Sequence, residues 1–168
     1  MERYVLTVLV ENHSGVLSRV SGLFSRRGYN IDSLSVGVTD NPSFSRMTIV
    51  LRGDLYILEQ IEKQLAKLVE VVSIHRCNPA DTVLRELALI KVGVDVSTRV
   101  GVIETANIYR AHIVDVSKDS VVIEVTGSED KIASLIRLLE PFGIKELVRT
   151  GLTAMDRGNR ILKPDGQE

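Results

Sequence analysis

Cysteine is almost missing from this chain of 168 residues, and the single Cys77 cannot close an internal disulfide. Tryptophan is absent and aromatic residues make up 4% of the chain. Neither sign of charge dominates: 21 basic residues face 22 acidic ones, a net charge of -1, so no broad positive field gathers polyanions from solution. Nucleic acid is therefore a poor partner. No apolar run approaches the roughly 20 residues that a membrane-spanning helix requires, and the N-terminus lacks a charged region followed by an apolar signal core. A soluble, cytoplasmic protein is expected. What is present is ordinary for a chain that buries a core, with 44% hydrophobic and 26% charged residues. The length suits two small domains of about 80 residues each.

The residue pattern supports that division. Tyr4 to Val10 is rich in β-branched and aliphatic residues and reads as a strand, ended by the loop formers Glu11-Asn12-His13-Ser14-Gly15. Val16, Leu17, Val20, Leu23 and Phe24 then recur at helical spacing, with Ser14 placed as a cap and Arg26, Arg27 and Gly28 as the end. Alternation at Leu34-Val36-Val38 and Met47-Ile49-Leu51 predicts two strands joined through Thr39-Asp40-Asn41-Pro42. Asp54 caps a second helix with the face Leu58, Ile61, Leu65 and Leu68, and Val71 to His75 closes the unit as a strand. Cys77-Asn78-Pro79-Ala80-Asp81 breaks the pattern near mid-chain.

The order then repeats. Glu86 to Val94 predicts a strand and Thr98 to Ile108 a helix. A hairpin follows around Ser117-Lys118-Asp119-Ser120, then a helix with the face Ile132, Leu135, Ile136 and Leu139, and a last strand over Ile144 to Leu152. The expected fold is α+β: two tandem ferredoxin-like βαββαβ domains, each an antiparallel sheet with two helices on one face. The boundaries fall at 1–77, a linker at 78–82, a second domain at 83–160 and a disordered polar tail at 161–168. Val5, Leu9 and Val50 lie out of phase with their strands' other apolar positions, so both sheet faces are apolar and association is expected to cover the helix-free one.

The segment from Glu11 to Leu17 runs a glycine-containing loop directly into a helix N-terminus, where unpaired N–H groups and the helix dipole favour an anion. Gly15 allows close approach to the backbone, and Asn12 offers both donors and an acceptor. A small amino acid fits that chemistry, although the same residues also serve as an ordinary cap and turn. His13 is assigned no role. His75 and Cys77 supply only two potential ligands where zinc uses three or four, so no metal is expected. Arg26 and Arg27 complement the dipole at their helix's end. The βαββαβ order also occurs in RNA-binding modules, which makes a nucleic-acid-binding module the alternative reading. The third strand, Arg46-Met47-Thr48-Ile49-Val50, lacks the stacking aromatics such modules use.

Residues Val8 to Val20 resemble the opening of an ACT amino-acid-binding domain. Gly22 to Leu34, followed by Ser45-Arg46-Met47-Thr48-Ile49, resembles the small regulatory subunits of acetohydroxyacid synthase (acetolactate synthase), and the likeness extends to Glu146-Leu147-Val148-Arg149-Thr150-Gly151. That resemblance implies a homodimer or higher assembly whose ACT sheets pair edge to edge, with a branched-chain amino acid, typically valine, bound between two chains. Asn12 and the backbone of Gly15, Val16 and Leu17 would come from one chain, and Asn30 and Ile31 from the other. It also implies a non-catalytic role, activating and feedback-inhibiting a separate catalytic subunit of branched-chain amino acid biosynthesis. Thiamine diphosphate, magnesium and FAD would belong to that partner, leaving no cofactor and no catalytic residue in this chain.

Overall fold

A computed structural model describes residues 2–164. Expectations for residues 165–168 fall outside the described residues. The chain divides into two compact units: residues up to Val83 together with those from Leu152 onwards, and Leu84–Gly151.

The first unit contains β1 (Glu2–Glu11), α1 (Val16–Arg26), β2 (Ile31–Val38), β3 (Phe44–Gly53), α2 (Leu55–Leu65) and β4 (Val71–Arg76). Its antiparallel sheet has the order β2-β3-β1-β4. The β1–β3 register sets Leu6 opposite Ile49 and Val8 opposite Met47, so alternate residues of both strands share one face. That face meets Val16, Val20, Leu23 and Phe24 of α1 and Leu58, Ile61 and Leu65 of α2. Each such side chain, fully buried, contributes about 1.5–3 kcal/mol. Asp54 caps α2 as its position suggests, its Oδ1 accepting from Ile57 N at 2.8 Å. Asp54→Ala is expected to lower the unfolding free energy by about 1 kcal/mol, measured by urea denaturation.

The second unit repeats the order with β5 (Thr82–Gly93, whose first two residues belong to the first unit), α3 (Arg99–Ile108), β6 (His112–Val116), β7 (Ser120–Gly127), α4 (Glu129–Leu139) and β8 (Ile144–Arg149). Strand order is β6-β7-β5-β8. Its core, around Ile90, Ile123, Val102, Ile132 and Leu135, shares no residue with the first. Ahead of α3, Asp95 Oδ1 accepts hydrogen bonds from Ser97 Oγ (2.6 Å), Ser97 N (2.7 Å) and Thr98 N (2.9 Å). These bonds, the Ser97 hydroxyl foremost, favour the carboxylate and pull its pKa from 3.8 down to about 2. A depressed carboxyl pKa stabilises the fold above the ordinary value and loses that contribution as pH falls through the lower one. Asp95→Asn should therefore flatten the part of the acid-denaturation profile between about pH 4 and 2.

The last strand departs from expectation. Instead of running to Leu152, β8 ends at Arg149, and Gly151 at φ +79° turns the chain, a conformation that suits glycine. A further strand, β9 (Thr153–Asp156), pairs with β5, where Arg157 N donates to Asp81 O at 2.7 Å. Residues 152–160, expected in the second domain, thus group with the first unit. They cross the sheet's helix-free face: Ser35 Oγ on β2 donates to Leu152 O (2.6 Å), and Arg46 Nη2 on β3 donates to Ala154 O (2.7 Å). Asp156 then reaches His75 on β4, with Oδ2 2.8 Å from Nε2. Val5, Leu9 and Val50, expected to be covered by association, are 7%, 4% and 0% exposed within the single chain.

Candidate functional site

The end of β1 and the start of α1 build the loop. Glu11 N donates to Glu70 O (2.9 Å) and Asn12 N to Ser43 O (2.8 Å), which tie the exit of β1 to the neighbouring segments. Asn12 Nδ2 donates to Pro42 O at 2.9 Å, and its Oδ1 accepts from Ser45 Oγ at 3.0 Å. The side chain thereby pins the β2–β3 connection beside the loop. An amide still has a second N–H and a second lone pair to offer.

Ser14, the expected cap, makes no cap hydrogen bond; Gly15 occupies the N-cap in a left-handed conformation, φ 89° and ψ -15°. The sequence signal for a serine cap loses here because the turn needs positive φ at the final position, which glycine adopts without penalty. A helix start without a side-chain cap leaves its first N–H groups, on Val16, Leu17 and Ser18, with no intrahelical acceptor. Nothing lies within 4 Å of the position a Cβ would take at Gly15. Val16 is buried in the core, whereas Leu17 is 45% exposed beside the open turn.

Charge around the loop is fixed by two carboxylates. Arg19 Nη1 pairs with Glu70 Oε1, whose side chain is 8% exposed and whose Oε2 has no hydrogen-bond partner among the described residues. His13 bridges Ser14 O (3.1 Å) and Glu11 Oε2 (2.9 Å). The bond to the Ser14 carbonyl, then that to Glu11, raises the His13 pKa above its ordinary 6.5.

Asn30 and Ile31 lie at the other end of the sheet. Ile31 stands in register with Leu51 and, through it, Tyr4, whereas the loop follows Glu11, which pairs with Phe44. The separation along β1 is seven steps of about 3.3 Å, roughly 23 Å. One copy therefore does not bring its own Asn30 and Ile31 to its own Gly15. Asn30 Nδ2 donates to Asp32 Oδ1 (2.8 Å), and Asp32 Oδ2 pairs with Arg52 Nε (2.9 Å), leaving the Asn30 carbonyl oxygen free to accept. The intervening strand, β2, is a sheet edge with Val36 and Val38 45% and 60% exposed.

Sequence reasoning missed a second constellation in this unit. His75, Cys77 and Asp156 place ligand-type atoms within 4.8 Å of one another. Asp156 arrives on a strand from the far end of the chain, so spacing gave no signal. No helix among the described residues is long and apolar enough to cross a membrane.

Comparison with known proteins agrees with this architecture. Residues 6–73 match the family described as AHAS small subunit-like ACT domain, and residues 85–158 match the small subunit of acetolactate synthase. A probable acetolactate synthase small subunit of Methanothermobacter thermautotrophicus is 49% identical over 162 residues, 96% of each chain. The acetolactate synthase small subunit of Mycolicibacterium smegmatis is 51% identical over 157 residues, 94% of this chain and 92% of its own. The crystal structure of a Thermotoga maritima acetolactate synthase small subunit superposes with a TM-score of 0.89 at 41% identity, covering 95% of this chain and 100% of that one. With both units matched in order and whole-length relatives near half identical, the chain belongs to the acetolactate synthase small-subunit family, whose members are regulatory chains and not the catalyst.

Proposed function

We propose that this subunit binds valine, or a closely related branched-chain amino acid, between two copies of its first unit and thereby sets the activity of the catalytic subunit. The observation that carries the reading is the uncapped start of α1 at Gly15. Its main-chain amides and dipole suit the ligand's carboxylate, and the open space beside Gly15 lets the ligand approach.

Two copies complete the pocket through β2. In the register that centres the two-fold axis on the strand, antiparallel pairing of that edge brings Ile31 of one copy opposite Val38 of the other. Val38 is in register with Ser45, and Ser45 with Val10, so the start of one β2 comes beside the other copy's Glu11–Gly15 loop. Asn30 then offers its carbonyl to the ammonium, Ile31 and Leu17 meet the branched side chain, and Asn12 offers its remaining N–H. The pairing also covers an edge strand whose only charged residue is Asp32.

Effector binding across the interface favours one dimer arrangement, which engages the catalytic subunit differently from the other. The coupling is reciprocal: if valine weakens activation by some factor, the activating complex weakens valine by the same factor at equilibrium. Thiamine diphosphate, magnesium and FAD belong to the catalytic partner in this reading, and the assembly acts in the cytoplasm. Calorimetric titration with valine, leucine and isoleucine tests it, with poly-uridine RNA as the control. One amino acid per protomer, two per dimer, is expected; heat with RNA and none with any amino acid would overturn it.

A further inference from the structure

The His75–Cys77–Asp156 cluster lies on the helix-free face of the first sheet, opposite the helices and away from the Gly15 loop. His75 and Cys77 are two residues apart, so the strand pleat sends both side chains to the same side. Cys77 N donates to Val5 O at 2.9 Å, which continues the β4–β1 ladder to the cysteine. Asp156 closes the triangle from β9. Two hydroxyls support it: Thr82 Oγ1 donates to Asp156 Oδ1 at 2.9 Å, and Thr7 Oγ1 lies 4.0 Å from Cys77 Sγ. His75 and Asp156 also line a cleft of about 960 Å³ that reaches solvent.

One imidazole nitrogen, one sulfur and one carboxylate oxygen form a donor set that suits zinc or cobalt and not calcium or magnesium, which take oxygen ligands. Tetrahedral coordination with bonds of about 2.0–2.3 Å sets ligand atoms about 3.5 Å apart; the wider pairs, all within 4.8 Å, therefore close by up to about 1 Å, while His75 Nε2 and Asp156 Oδ2, 2.8 Å apart, open by about 0.7 Å. From this geometry we infer that His75, Cys77 and Asp156 are three protein ligands for a zinc-class divalent ion, with water from the cleft in the fourth position. Such an ion fastens β9 to β4.

Proton bookkeeping closes. Burial raises the Cys77 thiol pKa, and the bound ion takes its place on sulfur, releasing one proton to solvent. Arg160 Nη2 lies 3.0 Å from His75 Nδ1. A guanidinium only donates, so Nδ1 accepts and the ring proton sits on Nε2, a buried nitrogen that lies 2.8 Å from Asp156 Oδ2 yet has no aligned hydrogen-bond partner among the described residues. Coordination through Nε2 shifts that proton to Nδ1 and releases Arg160, whose side chain is 68% exposed and free to turn outward. The ion replaces the arginine's charge beside Asp156.

The test uses the full chain, reduced and stripped of metal, titrated with Co²⁺ under argon. Because Cys77 is the sole cysteine, a thiolate-to-cobalt charge-transfer band can arise only at this site. One equivalent is expected to develop the band, Zn²⁺ to bleach it, and saturation to slow tryptic cleavage after Arg157 and Arg160. Cys77→Ser should abolish the band; Asp156→Asn should weaken affinity at least tenfold with the circular dichroism of the fold retained. No band in the unmodified chain, or Zn²⁺ affinity unchanged in both variants, would overturn the inference. Valine titration of the same samples keeps the outcome separate from the effector reading.

Discussion

Gly15→Asp is expected to weaken valine binding by about 30- to 1000-fold while the protein stays folded. Two unit charges about 4 Å apart near a protein surface repel by up to about 4 kcal/mol, and salt reduces that figure. A carboxylate at position 15 would stand where the ligand's own carboxylate meets the first N–H groups of α1. Space does not oppose the substitution, since no atom lies within 4 Å of the new Cβ. Backbone strain does, because φ there is +89° and an L-residue in the left-handed region costs about 1 kcal/mol. Gly15→Asn separates the two effects: asparagine has nearly the same shape, tolerates positive φ better than most residues and carries no charge. Calorimetry should show Gly15→Asn close to the unmodified protein and Gly15→Asp far from it. Equal loss in both variants would mean that loop conformation, and not charge at the amides, governs the site.

Much of this arrangement was legible because local pattern and tertiary role coincide. Leu6 and Val8 alternate with residues of the other face, and the helical spacing of Val16, Val20, Leu23 and Phe24 marks the stripe they meet. Asp54 sits where a cap belongs and caps. Ser14 also sits where a cap belongs, yet the turn hands that position to Gly15; a propensity does not know which residue must take positive φ. The C-terminal misreading has a different origin. Thr153-Ala154-Met155-Asp156 is too short for alternation to register, and its partners are Ser35, Arg46 and His75, distant in sequence. Val5, Leu9 and Val50 correctly signalled a second apolar face, but nothing in their spacing indicated that the cover came from the same chain. Asn30 and Ile31 show the reverse limit: they were tied to the Gly15 loop by resemblance alone, and the register explains why one copy keeps them apart.

In the second unit the largest loss of stability is expected from Arg149→Ala, about 3–5 kcal/mol. Arg149 Nη2 pairs with Glu86 Oε1 across neighbouring strands, and the Glu86 side chain is 3% exposed. The pair matters less for what it adds than for what its removal leaves behind. Desolvating two charges offsets most of their attraction, but a carboxylate left alone at that depth keeps its desolvation cost with nothing to repay it. Removing both charges should therefore be milder than removing one. Glu86→Leu combined with Arg149→Met, which fills similar volume with apolar groups, is expected to recover most of the loss in urea unfolding. If the double variant were as unstable as Arg149→Ala alone, packing by the arginine's aliphatic stem would outweigh its charge. Since Ala88 stands opposite Arg149 in the β5–β8 register, that outcome would appear as a local loss of amide protection along β8, whereas an unpaired Glu86 should lower protection through β5, β7 and β8 together.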